Sequence, residues 1–127
     1  MPQNYSFTTH SKTGKGRGKF LGFPTVNVII PERLSVTIAE GIYAARATLK
    51  GATYKTALYY GSVPTFDDAE KTLELFLIDA VDVNVAQGEE VAVEVIKFIR
   101  PVKKYDTPVQ LVLQMRRDVA DIKEILQ

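Results

Sequence analysis

The sequence predicts a mainly β fold, a small antiparallel barrel carrying one amphipathic helix at its C-terminal end. Two observations predict it. Gly and Pro fall as punctuation between short runs rich in Val, Ile, Tyr and Thr, most of them alternating in polarity. After Pro101 the apolar period lengthens to three and four residues. With 127 residues there is room for one core and too little for two ordinary domains, so residues 1–127 are expected to form a single domain.

The expected strands are Val26–Ile30, Gly41–Leu49, Tyr54–Tyr60, Thr72–Ile78 and Glu90–Ile99, with turns at Lys50-Gly51 and Gln87-Gly88. Alternation is clearest from Glu90 to Ile96: Val91, Val93 and Val95 face one way, Glu90, Ala92 and Glu94 the other. Five such runs on short connections favour closure into a barrel, which removes exposed edges. In the last segment Val112, Met115, Val119, Ile122 and Leu126 define one helical stripe, expected to pack on the barrel. Thr107 caps its first turn, Pro108 suits the first helical position, and Gln110 completes a capping box.

Composition narrows the chemistry. The 46% hydrophobic and 24% charged fractions suit a soluble domain, and no apolar run approaches the roughly 20 residues of a membrane span. The N-terminus has neither a secretory nor an organellar pattern, so a cytoplasmic location is expected. Zero cysteines and one histidine exclude disulfides, thiolate sites and a zinc cluster; any metal would be a hard cation on oxygen ligands. A net charge of +1 argues against a nucleic-acid partner. The charge is uneven: Lys12, Lys15, Arg17, Lys19 and Arg33 crowd the first 35 residues, whereas Asp67, Asp68, Glu70, Glu74, Asp79 and Asp82 follow later. One end suits an anionic ligand, the other a cation or a base.

Gly14-Lys15-Gly16-Arg17-Gly18-Lys19 puts three glycines and three cations in six residues, a backbone that can approach phosphate with charge beside it. It matches neither a Walker A motif nor a dinucleotide fingerprint, and such composition also arises in ordinary surface loops. In Leu21-Gly22-Phe23-Pro24-Thr25-Val26-Asn27, alternation sends Thr25 and Asn27 to the same side of a strand. Two neutral oxygens so placed can help hold a hydrated Mg²⁺, or they can simply close a turn. Glu74 interrupts the apolar run Thr72–Ile78. A carboxylate there is either a rigidly placed base or a residue on a solvated strand face. His10 reads as a surface residue, Asp67-Asp68 as turn chemistry, and Tyr59 and Tyr60 as core or rim aromatics.

From Gly14 through Asn27 the pattern Gly14-x-Gly16-Arg17-Gly18-Lys19-x-Leu21-Gly22-Phe23-Pro24-Thr25-x-Asn27 resembles the opening signature of riboflavin kinases and of the kinase module of bifunctional bacterial FAD synthetases. Further matches follow in order: Gly41-Ile42-Tyr43, Gly61-x-x-Pro64-Thr65-Phe66, Leu73-Glu74, Ile99-Arg100-Pro101-x-Lys103-Lys104-Tyr105-Asp106, and a closing helix containing Asp118. The resemblance implies a six-stranded antiparallel Greek-key barrel with a C-terminal helix. It implies transfer of the γ-phosphoryl group of ATP, or another triphosphate, to riboflavin, giving FMN with Mg²⁺ or another divalent ion. ATP would lie against Gly14, Lys15, Gly16, Arg17, Gly18, Lys19, Gly22 and Pro24. Thr25 and Asn27 would stand on the metal side, and Glu74 would be the catalytic carboxylate. Arg100, Lys103 and Tyr105 would belong to a flap over the flavin. A monomer, with riboflavin and ATP as its partners and no nucleic acid or membrane, is the corresponding expectation.

Several positions depart from that pattern, mostly on the flavin side: Phe76 where a histidine is common, Gln87 where a tyrosine is usual, and Tyr60 and Val63 in place of polar and basic residues. The lead-in before Gly14 is unusually polar. Phosphotransfer is expected to survive these changes, with flavin affinity or acceptor identity the more exposed property. No adenylyltransferase domain precedes the module, so FAD synthesis is not expected. The competing readings are a non-catalytic flavin- or nucleotide-binding module on the same fold and an oligonucleotide-binding barrel, the latter disfavoured by near-neutral charge.

Overall fold

The structure is a computed structural model that describes residues 4–13, 24–81 and 83–127. The glycine–lysine loop Gly14–Lys19, Gly22 and Asp82 lie outside the described residues. Six strands run in the order β1 (Tyr5–Lys12), β2 (Thr25–Val28), β3 (Gly41–Leu49), β4 (Ala52–Val63), β5 (Asp68–Leu77) and β6 (Glu90–Arg100). A short helix α1 (Leu34–Thr37) precedes β3, and α2 (Pro108–Ile125) follows β6.

All pairings are antiparallel and the sheet closes on itself in the order β1-β2-β5-β4-β3-β6. Strands β3, β4 and β5 form a meander, and β6 returns to lie beside β3, which is the Greek-key connection. The Lys50-Gly51 turn closes the β3–β4 hairpin with Lys50 at φ 51° and Gly51 at φ 78°. Positive φ at both central residues suits the right-handed twist of the flanking strands.

Strand β1 has no counterpart among the strands expected from pattern. Its inward positions are Tyr5, Phe7, Thr9 and Ser11, so its second half buries hydroxyls and reads as polar on both faces. Tertiary contacts make that tolerable. The Thr9 hydroxyl donates to Ile29 O at 2.6 Å, and the Ser11 hydroxyl donates to Ala86 O. Strands β4 and β5 also run further than alternation suggests. They meet at a 3-10 turn over Pro64–Phe66, where Asp67 adopts the left-handed conformation at φ 54°.

Two apolar layers result from strand alternation. Val26, Val28, Tyr43, Leu58, Leu73, Leu75 and Val93 fill the barrel, and Leu34 of α1 joins the same cluster. Ile42, Ala44, Ala57, Tyr59 and Phe76 face outward from β3, β4 and β5, Ile78 joins them just past β5, and α2 covers the cluster with Met115, Val119 and Ile122. Each fully buried Leu, Ile or Val contributes roughly 1.5–3 kcal/mol relative to exposure. The expected helical stripe is therefore the one that docks. Its cap is also as expected, with Gln110 N donating to Thr107 Oγ1 at 3.3 Å. The return half of the box differs: Gln110 Oε1 accepts from Asp106 N at 3.1 Å, one residue ahead of the cap.

Candidate active site

Cross-strand register assembles the site. Lys12 pairs with Asn27, Asn27 with Glu74, Glu74 with Tyr59, Tyr59 with Ile42, and Ile42 with Arg100. Directly opposed residues project from the same face of a sheet. These six therefore form one transverse row over the outside of the barrel, one residue from each strand. Thr25 stands two residues before Asn27 and shares its face.

Glu74 is only 3% exposed although it sits on the outer face, so the solvated-face reading of this carboxylate does not describe it. Its Oε2 accepts from the Thr72 hydroxyl at 3.2 Å. A cleft of about 170 Å³ opens beside it, lined by Lys12, Asn27, Lys71, Thr72 and Glu74 among others. A second cleft, of about 210 Å³, adjoins the other flank of Asn27 and is lined by Ser11, Lys12, Thr25 and Gln87. Lys71 is held by Glu40 at 3.1 Å, and this hydrogen-bonded acid raises the pKa of its ammonium. Pro24, expected near the nucleotide, accepts from Leu77 N through its carbonyl at 2.9 Å and so fixes the entry of β2 against β5.

Arg100, Lys103 and Tyr105 form a second cluster, at the start of the segment that leads into α2. Arg100 Nε lies 3.1 and 2.9 Å from the two oxygens of Asp118, and Arg100 Nη2 lies 2.7 Å from Oδ2. Gln114 Nε2 donates to Asp118 Oδ1 at 3.1 Å. Asp118 is 1% exposed, so this is a buried, bidentate, fully hydrogen-bonded pair. The Tyr105 ring has Arg100 Cζ 5.8 Å and Lys103 Nζ 5.5 Å from its centroid. Tyr105 N donates to Thr65 Oγ1 at 3.0 Å, tying this segment to the turn between β4 and β5.

The structure thus brings Thr25, Asn27 and Glu74 together and gathers Arg100, Lys103 and Tyr105 at the far end of the row. Sequence reasoning counted Lys12 only as part of the basic N-terminal stretch and did not single out Thr72; Lys12 closes β1, and Thr72 stands two residues before Glu74 on the same face of β5. His10 is exposed and lies opposite Glu90. Tyr60 packs inside the barrel, and the Tyr59 hydroxyl donates to Ser62 O. Among the departures, Phe76 and Val63 belong to the layer beneath α2, and Gln87 Oε1 accepts from the Thr13 hydroxyl at 3.0 Å.

Among the described residues no helix is long and apolar enough to cross a membrane. The chain is similar to the trifunctional protein RibF/MnmA of Mycoplasmoides gallisepticum, 31% identical over 91 residues, which are 72% of this chain and 13% of that protein. It is also similar to the bifunctional riboflavin kinase/FMN adenylyltransferase of Listeria monocytogenes, 29% identical over 122 residues, 94% of this chain and 38% of that protein. The chain therefore spans well under half of the length of these two relatives. The crystal structure of riboflavin kinase from Trypanosoma brucei shares its fold, with a TM-score of 0.69 over 99% of this chain and 82% of that one at 18% identity. The family model described as Flavokinase: Riboflavin kinase matches residues 1–126. On a match of that extent, over a closed six-stranded barrel with its C-terminal helix, the chain belongs to the riboflavin kinase family.

Proposed function

We propose that this chain is itself a riboflavin kinase, transferring the γ-phosphoryl group of ATP or another nucleoside triphosphate to the ribityl 5′-hydroxyl of riboflavin to give FMN. The observation that carries the reading is the register pair Asn27–Glu74, with Thr25 beside it and the carboxylate buried at the wall of a cleft. Glu74 accepts the proton of the attacking hydroxyl, and burial on a strand holds it in place for that step.

The donor set fits a hydrated divalent ion. Among the described residues no cluster of three or more His, Cys, Asp or Glu side chains forms a cation cage. Thr25 and Asn27 offer one neutral oxygen each, and such a pair suits Mg²⁺ that keeps water and phosphate as its other ligands. When bound, that ion supplies neutralisation of phosphate charge. The segment Gly14–Lys19 with Gly22 and Pro24 cradles the triphosphate, and Tyr105, with Lys103, offers an aromatic surface to the flavin. Arg100 serves this flap through Asp118, anchoring it to α2. The reading includes a cytoplasmic, monomeric enzyme.

Incubating the purified protein with riboflavin, Mg²⁺ and each of ATP, CTP and GTP, then separating riboflavin from FMN, tests activity and donor choice together. FMN formation is expected. Quenching of flavin fluorescence with no FMN from any donor would replace the kinase with a binding module.

A further inference from the structure

Of the three charged residues in the transverse row, Lys12, Glu74 and Arg100, Lys12 is the one that the proposed reaction leaves unused. It closes β1, is exposed, and stands directly opposite Asn27 on the side away from Glu74. The row therefore reads cation, amide, carboxylate across β1, β2 and β5. Adjacent opposed Cα atoms in antiparallel strands lie about 4.5–5.5 Å apart, so Lys12 and Glu74 flank Asn27 at a Cα separation of about 10 Å. Lys12 lines both clefts that border Asn27, the one shared with Glu74 and the one shared with Thr25. Among the described residues the other cation at the Glu74 cleft, Lys71, is tied to Glu40.

The strand end that presents Lys12 is clamped. Ser11, next to it, is 4% exposed; its N–H donates to Glu89 O at 2.9 Å and its carbonyl accepts from Gly88 N at 2.9 Å. The Ser11 hydroxyl accepts from Glu89 N at 2.9 Å while donating to Ala86 O. An anchored backbone fixes where the Lys12 side chain starts, so no backbone ordering has to accompany the binding of its head group.

We propose that Lys12 is a phosphate-contacting residue of this site, its ammonium binding the terminal phosphoryl group of the nucleoside triphosphate from the face of Asn27 opposite Glu74. The inference rests on the kinase reading and names a further residue for it. In the transfer, the acceptor oxygen bonds phosphorus and the bond from phosphorus to the bridging oxygen breaks. The hydroxyl proton passes to Glu74, and the nucleoside diphosphate leaves with the bridging electron pair. Lys12 contributes a fixed positive charge beside the oxygens that carry the charge through that step.

The test measures MgATP binding by calorimetry and FMN formation in parallel, for wild type, Lys12→Met, Lys12→Arg and the charge control Lys55→Met, an exposed β4 lysine four residues from the row. Lys12→Met is expected to weaken MgATP binding about tenfold or more, the loss of one charge-assisted hydrogen bond. Riboflavin binding and Tm should stay at wild-type values, Lys12→Arg should restore most of the affinity, and Lys55→Met should change neither readout. MgATP affinity within twofold of wild type in Lys12→Met, or an equal loss in Lys55→Met, overturns the proposal, as does a wild-type protein that binds no nucleotide. If Lys12→Met loses affinity but wild type forms no FMN, Lys12 stands as a nucleotide residue and the kinase reading falls.

Discussion

Glu74 is the residue at which local rules and the fold disagree most. A carboxylate buried on an apolar strand is costly, and nothing in the packing of Leu73, Leu75 and Phe76 requires one there. Its neighbours answer to chemistry instead: Asn27 across the strand, Thr72 two residues away, and a cleft at its side. Glu74→Gln keeps the volume and removes the base. We expect it to fold normally and to lower kcat for FMN formation by about 10²–10⁴-fold, the range of a positioned general base. Steady-state kinetics checks this directly, and a near-normal kcat would remove Glu74 from the mechanism.

At the scale of elements, the question is what holds α2 and the preceding flap to the barrel. The apolar contacts of Met115, Val119 and Ile122 do most of it, but they are tolerant of sliding. The Arg100–Asp118 pair is not, because both carboxylate oxygens and Gln114 are used at fixed angles. Removing one partner strands a buried charge. Asp118→Ala is therefore expected to cost about 3–5 kcal/mol, read as a lowered urea midpoint. The double variant Arg100→Met, Asp118→Leu should recover much of that stability, since no charge is left unpaired. If the proposed flap function is right, flavin affinity should still fall in the double variant, because Tyr105 has lost the guanidinium beside its ring.

For the molecule as a whole, closure depends on β1, the strand that joins β2 to β6. The seam near its end is built from polar contacts: Ser11 is bonded through its N–H, carbonyl and hydroxyl to residues 86–89. Ser11→Ala removes two hydrogen bonds and leaves Glu89 N and Ala86 O only their mutual contact of 3.3 Å. It is expected to cost about 1–3 kcal/mol in denaturant unfolding with little change in m, because the same surface is exposed on unfolding. An unchanged midpoint would show that the seam closes without this hydroxyl. Because the same clamp presents Lys12, a weaker MgATP affinity in Ser11→Ala is the companion expectation.

Sequence alone determined the elements whose signals are local. Alternation in Glu90–Ile96, the Lys50-Gly51 turn, the helical stripe and the Thr107 cap each depend on residues a few positions apart, and each appears in the fold. It also marked polar residues to suspect, because Glu74 interrupts an apolar run and alternation puts Thr25 and Asn27 on one strand face. Tertiary structure decided what no window can contain. The polar half of β1 is a strand through its ladders with β6 and β2, and Ile29 and Ala86, from distant loops, accept the hydroxyls that it buries. Register between β1, β2 and β5 decided that Lys12, Asn27 and Glu74 share a row, and the packing of α2 over β3 and β4 gave Arg100, at the end of β6, its buried acid. Periodicity fixes which face of a strand a side chain takes, whereas its partner across the sheet is set by strand pairing between segments that lie far apart in the chain.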